Sequence, residues 1–256
     1  ATALVWLLAV LNGIGDADRA SFRPRWLESS ADGATFVVAL IVYAATCARD
    51  VLPADAGAFQ WVLPLLGVAH PPGFPLYTMV GHLFTRLLPW GTPAYRVNLM
   101  SGVLAAGTLL LTARATRLWA RRLGASSLGA LTGGLAAALV LGSATTFWAQ
   151  ATIASARSLT VFFTALALYA LSRFGAADEA QQVERSLVLL GLALGLGLGH
   201  HSLGFASTLF VVVYVVLTAP RLLVQPRRWW RPVLAGLAGL LPLVYLPIRG
   251  AMNAPQ

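Results

Sequence analysis

Long apolar runs alternate with short polar segments along most of the chain. Seven runs predict membrane-crossing helices: residues 34–48, 97–119, 127–148, 152–172, 187–200, 203–219 and 232–248. A span needs about 20 mainly apolar residues. The runs at 34–48, 187–200 and 203–219 are short, so either neighbouring protein covers their ends or the true helices extend further. Two more apolar stretches, 59–68 and 75–89, are broken by Pro and Gly within one long loop. They read as interfacial or re-entrant helices. Residues 1–12 are apolar but too short for a full span. They fit a signal remnant, an interfacial helix or the end of a truncated span. The pattern predicts an all-α, polytopic, integral membrane helical bundle. Its N-terminal segment, 1–33, is apolar and then polar; the transmembrane domain covers 34–256, with an outer loop at 49–96.

Composition narrows the class. Hydrophobic residues make up 58% of the chain and charged residues 11%, against about 25% charged in soluble domains. With a mean hydropathy of +0.74, this excludes a soluble enzyme, a disordered chain and a disulfide scaffold. All 18 basic residues are Arg, the acids number nine, and the net charge is +9. In a soluble protein such an excess would suggest nucleic acid; here it reads as orientation in the bilayer, with no nucleic-acid partner. Placing 13–33 inside puts the loops at 112–126, 173–186 and 220–231 on the same side. That side then holds Arg19, Arg23, Arg25, Arg114, Arg117, Arg121, Arg122, Arg173, Arg185, Arg221, Arg227, Arg228 and Arg231. Left for the outer side are Arg49, Arg86, Arg96, Arg157 and Arg249, with Asp50, Asp55 and the four His residues, His70, His82, His200 and His201. Ionisable groups at membrane depth are costly and tend to be paired or functional. Their gathering at one face predicts a site there.

Other features read as structural. Gly191, Gly195 and Gly199, and also Gly129 and Gly133, recur every fourth position and predict close helix packing. Trp229 and Trp230, beside three Arg residues, read as an interfacial anchor. The single Cys47 excludes an intramolecular disulfide and reads as a small packing residue.

The stretch 49–101 carries the candidate chemistry. Gly57 follows Asp55 and permits the close approach of another group. His70-Pro71-Pro72-Gly73 is a rigid corner, its prolines fixing the backbone and its glycine permitting reversal. Arg96 and Asn98 stand at the start of the next helix, whose first amides favour an anion. A carboxylate among cations suits proton removal from an acceptor hydroxyl, with the cations holding a leaving phosphate. An Asp–Arg pair that merely stabilises the loop fits the same residues. No metal site is predicted; Asp50 and Asp55 are the only nearby acids.

These residues fall into an ordered series of motifs. They are Asp55-Ala56-Gly57; the stretch Leu66 to Tyr77 (LGVAHPPGFPLY); Tyr95-Arg96-Val97-Asn98-Leu99 with Ser101; Phe147-Trp148-Ala149-Gln150-Ala151; Gly199-His200-His201; and Tyr245-Leu246-Pro247-Ile248-Arg249. Together they resemble the family-117 glycosyltransferases, bacterial protein O-mannosyltransferase-like membrane proteins of the C-type superfamily. The resemblance covers about residues 34–250. It implies a C-type glycosyltransferase-like fold in the bacterial cytoplasmic membrane, with the loop 49–96 extracytoplasmic. The implied reaction moves a sugar, mannose among the candidates, from a polyprenyl-phosphate donor to a protein or glycan hydroxyl, with inversion. No other cofactor is implied. Asp55 matches the catalytic base; His70, Tyr77, Arg96, Asn98, His200, His201 and Arg249 become candidates for donor or acceptor contacts.

The sequence also departs from that pattern. Ala58 stands where the family has Glu, and Ser155-Ala156-Arg157 replaces Glu-Val-Tyr. Two family acids are absent and one Arg is new. Family members also run well beyond this length. The alternative reading is therefore a non-catalytic subunit that keeps the fold and packs as a scaffold against other membrane subunits. Pigment or haem ligation by His200 or His201 is a weaker reading, because the family motif accounts for the pair. A transporter would show paired broken helices in two matching halves, and no such halves are visible.

Overall fold

The computed structural model describes residues 25–177, 179–201 and 204–252. The apolar run 1–12, Arg19 and Arg23 lie outside the described residues. The elements are α1 (Arg25–Thr46), α2 (Ala54–Val62), α3 (Pro75–Leu87), α4 (Pro93–Arg122), α5 (Ser127–Ser143), α6 (Thr145–Ala151), α7 (Ala156–Gly175), α8 (Ala180–His200), α9 (Gly204–Thr218), the one-turn α10 (Pro220–Leu223), α11 (Trp230–Gly239) and α12 (Tyr245–Ala251). No strand occurs among the described residues.

Among the described residues, five helical stretches are long and apolar enough to cross a membrane: Trp26–Thr46, α4, α7, α8 and the combined Trp230–Ala251. The pair α5–α6 makes a sixth if its 73° bend lies within one span. The remaining expected span, 203–219, is the 15-residue α9, too short by this measure. The protein is an integral membrane helical bundle. The loop does hold two short helices: α3 matches the expected 75–89, whereas α2 begins five residues before the expected 59–68 and ends at Val62.

Two of the short runs grow into full spans at their polar ends. The expected 34–48 begins at Arg25, and 187–200 begins at Ala180. Both extensions recruit acids that find Arg partners in the fold. The expected 127–148 is not one straight helix, because it breaks at Ala144, which is extended. Tyr43 stabilises the break: its hydroxyl donates to the Gly142 carbonyl at 3.0 Å, and its ring meets Trp148 edge-on at 5.4 Å. A carbonyl freed by the bend thus keeps a partner.

The central helix α4 packs against α1, α2, α3, α5 and α7. Thr92 caps its start by accepting from the Tyr95 amide at 3.2 Å, with Pro93 in the first turn. On the other side of α7, α8 packs closely on α11. A Cβ on Gly195 would lie 2.0 Å from the Gly236 carbonyl oxygen, and one on Gly191 2.2 Å from that of Pro232. The predicted small-residue face therefore makes a backbone-to-backbone seam. The expectation for Gly133 differs: that position meets open space, and Gly134 makes the close approach, to the Ala113 carbonyl. Trp230 is exposed beneath Arg231, as an interfacial anchor would be. Trp229 instead turns inward, donating to the Leu222 carbonyl at 2.8 Å. Cys47 is buried.

Most of the Arg-rich segments meet at one end of the bundle. There Asp32 of α1 accepts from Arg114 at 2.7 Å and from Arg117, Glu28 pairs with Arg121, and Glu184 of α8 pairs with Arg231. These arginines were read only as orientation signals; they also bind helices together. Asp55 and the histidines lie at the opposite end.

Candidate functional site

The loop between α1 and α4 folds back over the bundle end. Its first helix, α2, carries Asp55 in its first turn, where a carboxylate is favoured by the helix dipole. Gly57 is required there: a Cβ would lie 2.1 Å from the Leu52 carbonyl oxygen. The Pro-Pro-Gly corner follows. Gly73 takes a positive φ of 92° and its amide donates to the His70 carbonyl at 2.9 Å. The corner presents the His70 ring between Phe59 and Phe74, at 5.3 and 5.4 Å. His70 Nε2 then stands 4.0 Å from Asp55 Oδ1, and the Asp55 side chain is 74% exposed. Among the described residues, Asp55 has no other ion-pair partner.

These two residues form one wall of an open cavity of about 250 Å³. The turn from α6 into α7 adds Gln150, Ser155 and Arg157 to the lining. His201 completes the lining, its ring stacked on Phe74 at 5.6 Å. Arg157 is exposed and makes no ion pair with Asp55. Ser155 begins α7 without capping it; its hydroxyl donates to the Gln150 side-chain carbonyl instead. One acid, one guanidinium, two imidazoles and a helix start thus share one water-accessible space. Among the described residues, no cluster of three or more His, Cys, Asp or Glu could hold a metal.

The other expected site residues are not in the lining. Tyr77 is fully buried, with its hydroxyl 3.3 Å from Ser101 Oγ, which in turn accepts from the Ser155 amide at 3.2 Å. It supports the cavity wall from below, and burial pushes its hydroxyl above the ordinary tyrosine range. His200 is buried behind Phe74 and donates from Nε2 to the Ala156 carbonyl at 2.9 Å. Its Nδ1 is buried without a hydrogen-bond partner. Asn98 is fully buried as a cross-brace. Its Oδ1 accepts from Gln60 at 2.9 Å and from the Ala154 amide at 2.8 Å, while Nδ2 donates to the Ala48 carbonyl at 2.8 Å.

Arg96 donates to the carbonyls of Trp90, Gly91 and Thr85, at 3.1, 3.1 and 2.8 Å. Arg249 donates to the Leu66 carbonyl at 2.8 Å, which also accepts from Tyr245. Both guanidiniums satisfy loop carbonyls that have no helical partner. The structure thus brings Asp55, His70 and His201 together and sets Tyr77, Arg96, Asn98, His200 and Arg249 around them. Sequence reasoning missed Gln150 and Ser155 as lining residues. The available signal was their position at the break between two apolar runs, where backbone turns and side chains face a cavity.

The protein O-mannosyl-transferase TMEM260 N-terminal domain family matches residues 55–223. Protein O-mannosyl-transferase TMEM260 of Mus musculus is 30% identical over 255 residues, covering 95% of this chain and 34% of that protein. The Dictyostelium discoideum protein of the same name is 33% identical over 86 residues, covering 33% of this chain and 10% of that protein. The chain therefore spans about a third of the length of the mouse relative. No solved structure matches.

Proposed function

The chain belongs to the TMEM260 N-terminal domain family, and on that premise we propose that it carries the catalytic end of a membrane mannosyltransferase. The carrying observation is the open cavity lined by exposed Asp55 and His70 together with Arg157 and His201. The donor is a polyprenyl-phosphate sugar of the C-type superfamily, and the acceptor is a protein or glycan hydroxyl. Asp55 removes the acceptor proton. The acceptor oxygen bonds to the anomeric carbon, the bond from that carbon to the phosphate oxygen breaks, and its electron pair leaves with the lipid phosphate. His70, beside the carboxylate, orients it and offers a route for the proton to water. A cavity of about 250 Å³ lies just below the roughly 300–1,000 Å³ of common ligand sites. That suits a single sugar with its phosphate rather than an oligosaccharide.

The proposed orientation puts the cavity on the extracytoplasmic face, a reading supported by the excess of Arg at the opposite end, with the bacterial cytoplasmic membrane as the proposed location. Transfer from polyprenyl-phosphate mannose to Ser- and Thr-containing peptides, in membranes holding the full chain, tests the reading. Loss of transfer in Asp55→Asn is expected; undiminished transfer in that variant refutes the role of Asp55.

A second reading, a non-catalytic scaffold subunit, is favoured by one observation: Ala58, Ser155 and Arg157 occupy positions where the resembling family carries two acids and a Tyr. It predicts stoichiometric association with other membrane subunits in mild detergent and no transfer. A solitary, active protein excludes it. The open cavity and the absence of an Asp55–Arg157 pair favour the catalytic reading.

A further inference from the structure

The five arginines outside the Arg-rich end do not share one role. Arg96 and Arg249 are spent on loop carbonyls, and Arg49 lies over the Tyr95 ring at 5.4 Å. Arg157 lines the cavity with Asp55 and is engaged by no hydrogen bond or ion pair among the described residues. An exposed guanidinium, kept free in a cavity that holds only one carboxylate, is a ready partner for a planar pair of anionic oxygens. The position adds to this. Arg157 is the second residue of the 20-residue α7, whose first amides receive no side-chain cap because the Ser155 hydroxyl is turned to Gln150.

We infer that Arg157 is the phosphate-holding residue of this cavity, which it lines together with Asp55. The inference rests on the reading above and deepens it. It assigns the anion-binding wall to a residue at which this chain departs from the resembling family. The ligand class is a phosphate ester. Negative charge grows on that phosphate as the sugar leaves, so a fixed cation there stabilises the leaving group.

The test is direct binding to the purified full chain in detergent, by titration calorimetry. The probes are a short-chain prenyl phosphate, the matching uncharged prenyl alcohol, and inorganic phosphate. Wild type should bind the prenyl phosphate. Arg157→Gln should weaken that binding about 10- to 100-fold, the range for one hydrogen-bonded charge, and leave prenyl alcohol binding unchanged. Arg157→Lys should recover part of the loss, and Arg86→Gln, an exposed arginine outside the cavity, should match wild type. Binding of the prenyl phosphate but not of inorganic phosphate would identify a lipid-linked source; binding of both would identify a general phosphate site at Arg157.

Prenyl phosphate affinity in Arg157→Gln within twofold of wild type overturns the inference, as does wild type that binds neither phosphate. Equal weakening of the alcohol and the phosphate would mean a structural role and overturns it too. Sugar transfer by the same preparations separates the two ideas. Transfer without Arg157-dependent phosphate binding removes this assignment alone; Arg157-dependent binding without transfer removes the mannosyltransferase reading alone.

Discussion

The two ends of the bundle use the same charged residue types for opposite purposes. At the Arg-rich end, Asp32 is 8% exposed and Arg117 4%, and the acid is held by two guanidiniums. At the cavity end, the Asp55 carboxylate is 74% exposed and stands 4.0 Å from its one imidazole neighbour. A buried pair is costly to break, since removing one partner strands the other in a low dielectric. An exposed pair contributes little to stability and leaves the carboxylate free to bind a proton. The difference teaches that charge alone does not mark a site. Engagement does: groups already satisfied by the fold hold helices together, and groups left available face the cavity.

The sharpest test of this contrast is Asp55→Asn. Loss of a general base should lower transfer by about 10²–10⁴-fold, with the thermal midpoint unchanged. A large drop in midpoint would move Asp55 into the structural set. The mirror experiment is Asp32→Asn, which leaves Arg117 buried beside a neutral amide. Unfolding in detergent should show a loss of about 3–5 kcal/mol, and a loss below about 1 kcal/mol would erase the distinction between the ends. Asn98→Leu probes a structural residue at the cavity end. It strands the Ala154 amide, the Ala48 carbonyl and the Gln60 side chain, so stability should fall by about 2–3 kcal/mol. Prenyl alcohol binding measured below the midpoint should persist; its loss would give Asn98 a direct ligand role.

The smallest expected effect is chemical. Burial pushes the Cys47 thiol up to about 11, against the opposing pull of Arg49. The thiolate is the reactive form and is scarce below that pH. Alkylation of the folded protein at pH 8 should be far slower than after unfolding, and its rate should keep rising with pH toward about 11. Rapid labelling at pH 8 would mean that the loop after α1 opens readily.

Much of this contrast was legible in the chain. Among the described residues, the hydrophobic runs located every span or near-span, because helix burial in lipid is written locally as about 20 apolar residues. Pro, Gly and length separated α2 and α3 from the spans. The sorting of Asp55, His70 and His201 to one end followed from topology alone. What escaped was pairing at a distance. Nothing near Asp32 in sequence points to Arg114 and Arg117, more than 80 positions away. Arg96 and Arg249 looked like ligand contacts because their types suit a phosphate. Their engagement by Thr85, Trp90, Gly91 and Leu66 carbonyls depends on how the loop folds. The bend at Ala144 escaped for the same reason. Its freed carbonyl is answered by Tyr43, from α1.

The sequence by itself determined a helical membrane protein, the division of its charges between two ends, and Asp55 with the His-Pro-Pro-Gly corner as the place to look. Hydropathy, helix period and backbone restriction act over a few residues, so they can be read in order along the chain. Only the tertiary structure decided which polar groups are consumed by the fold and which remain free. That outcome depends on desolvation and on partners brought from distant segments. It removed Arg96, Asn98 and Arg249 from the cavity lining and set Arg157 within it, together with Asp55.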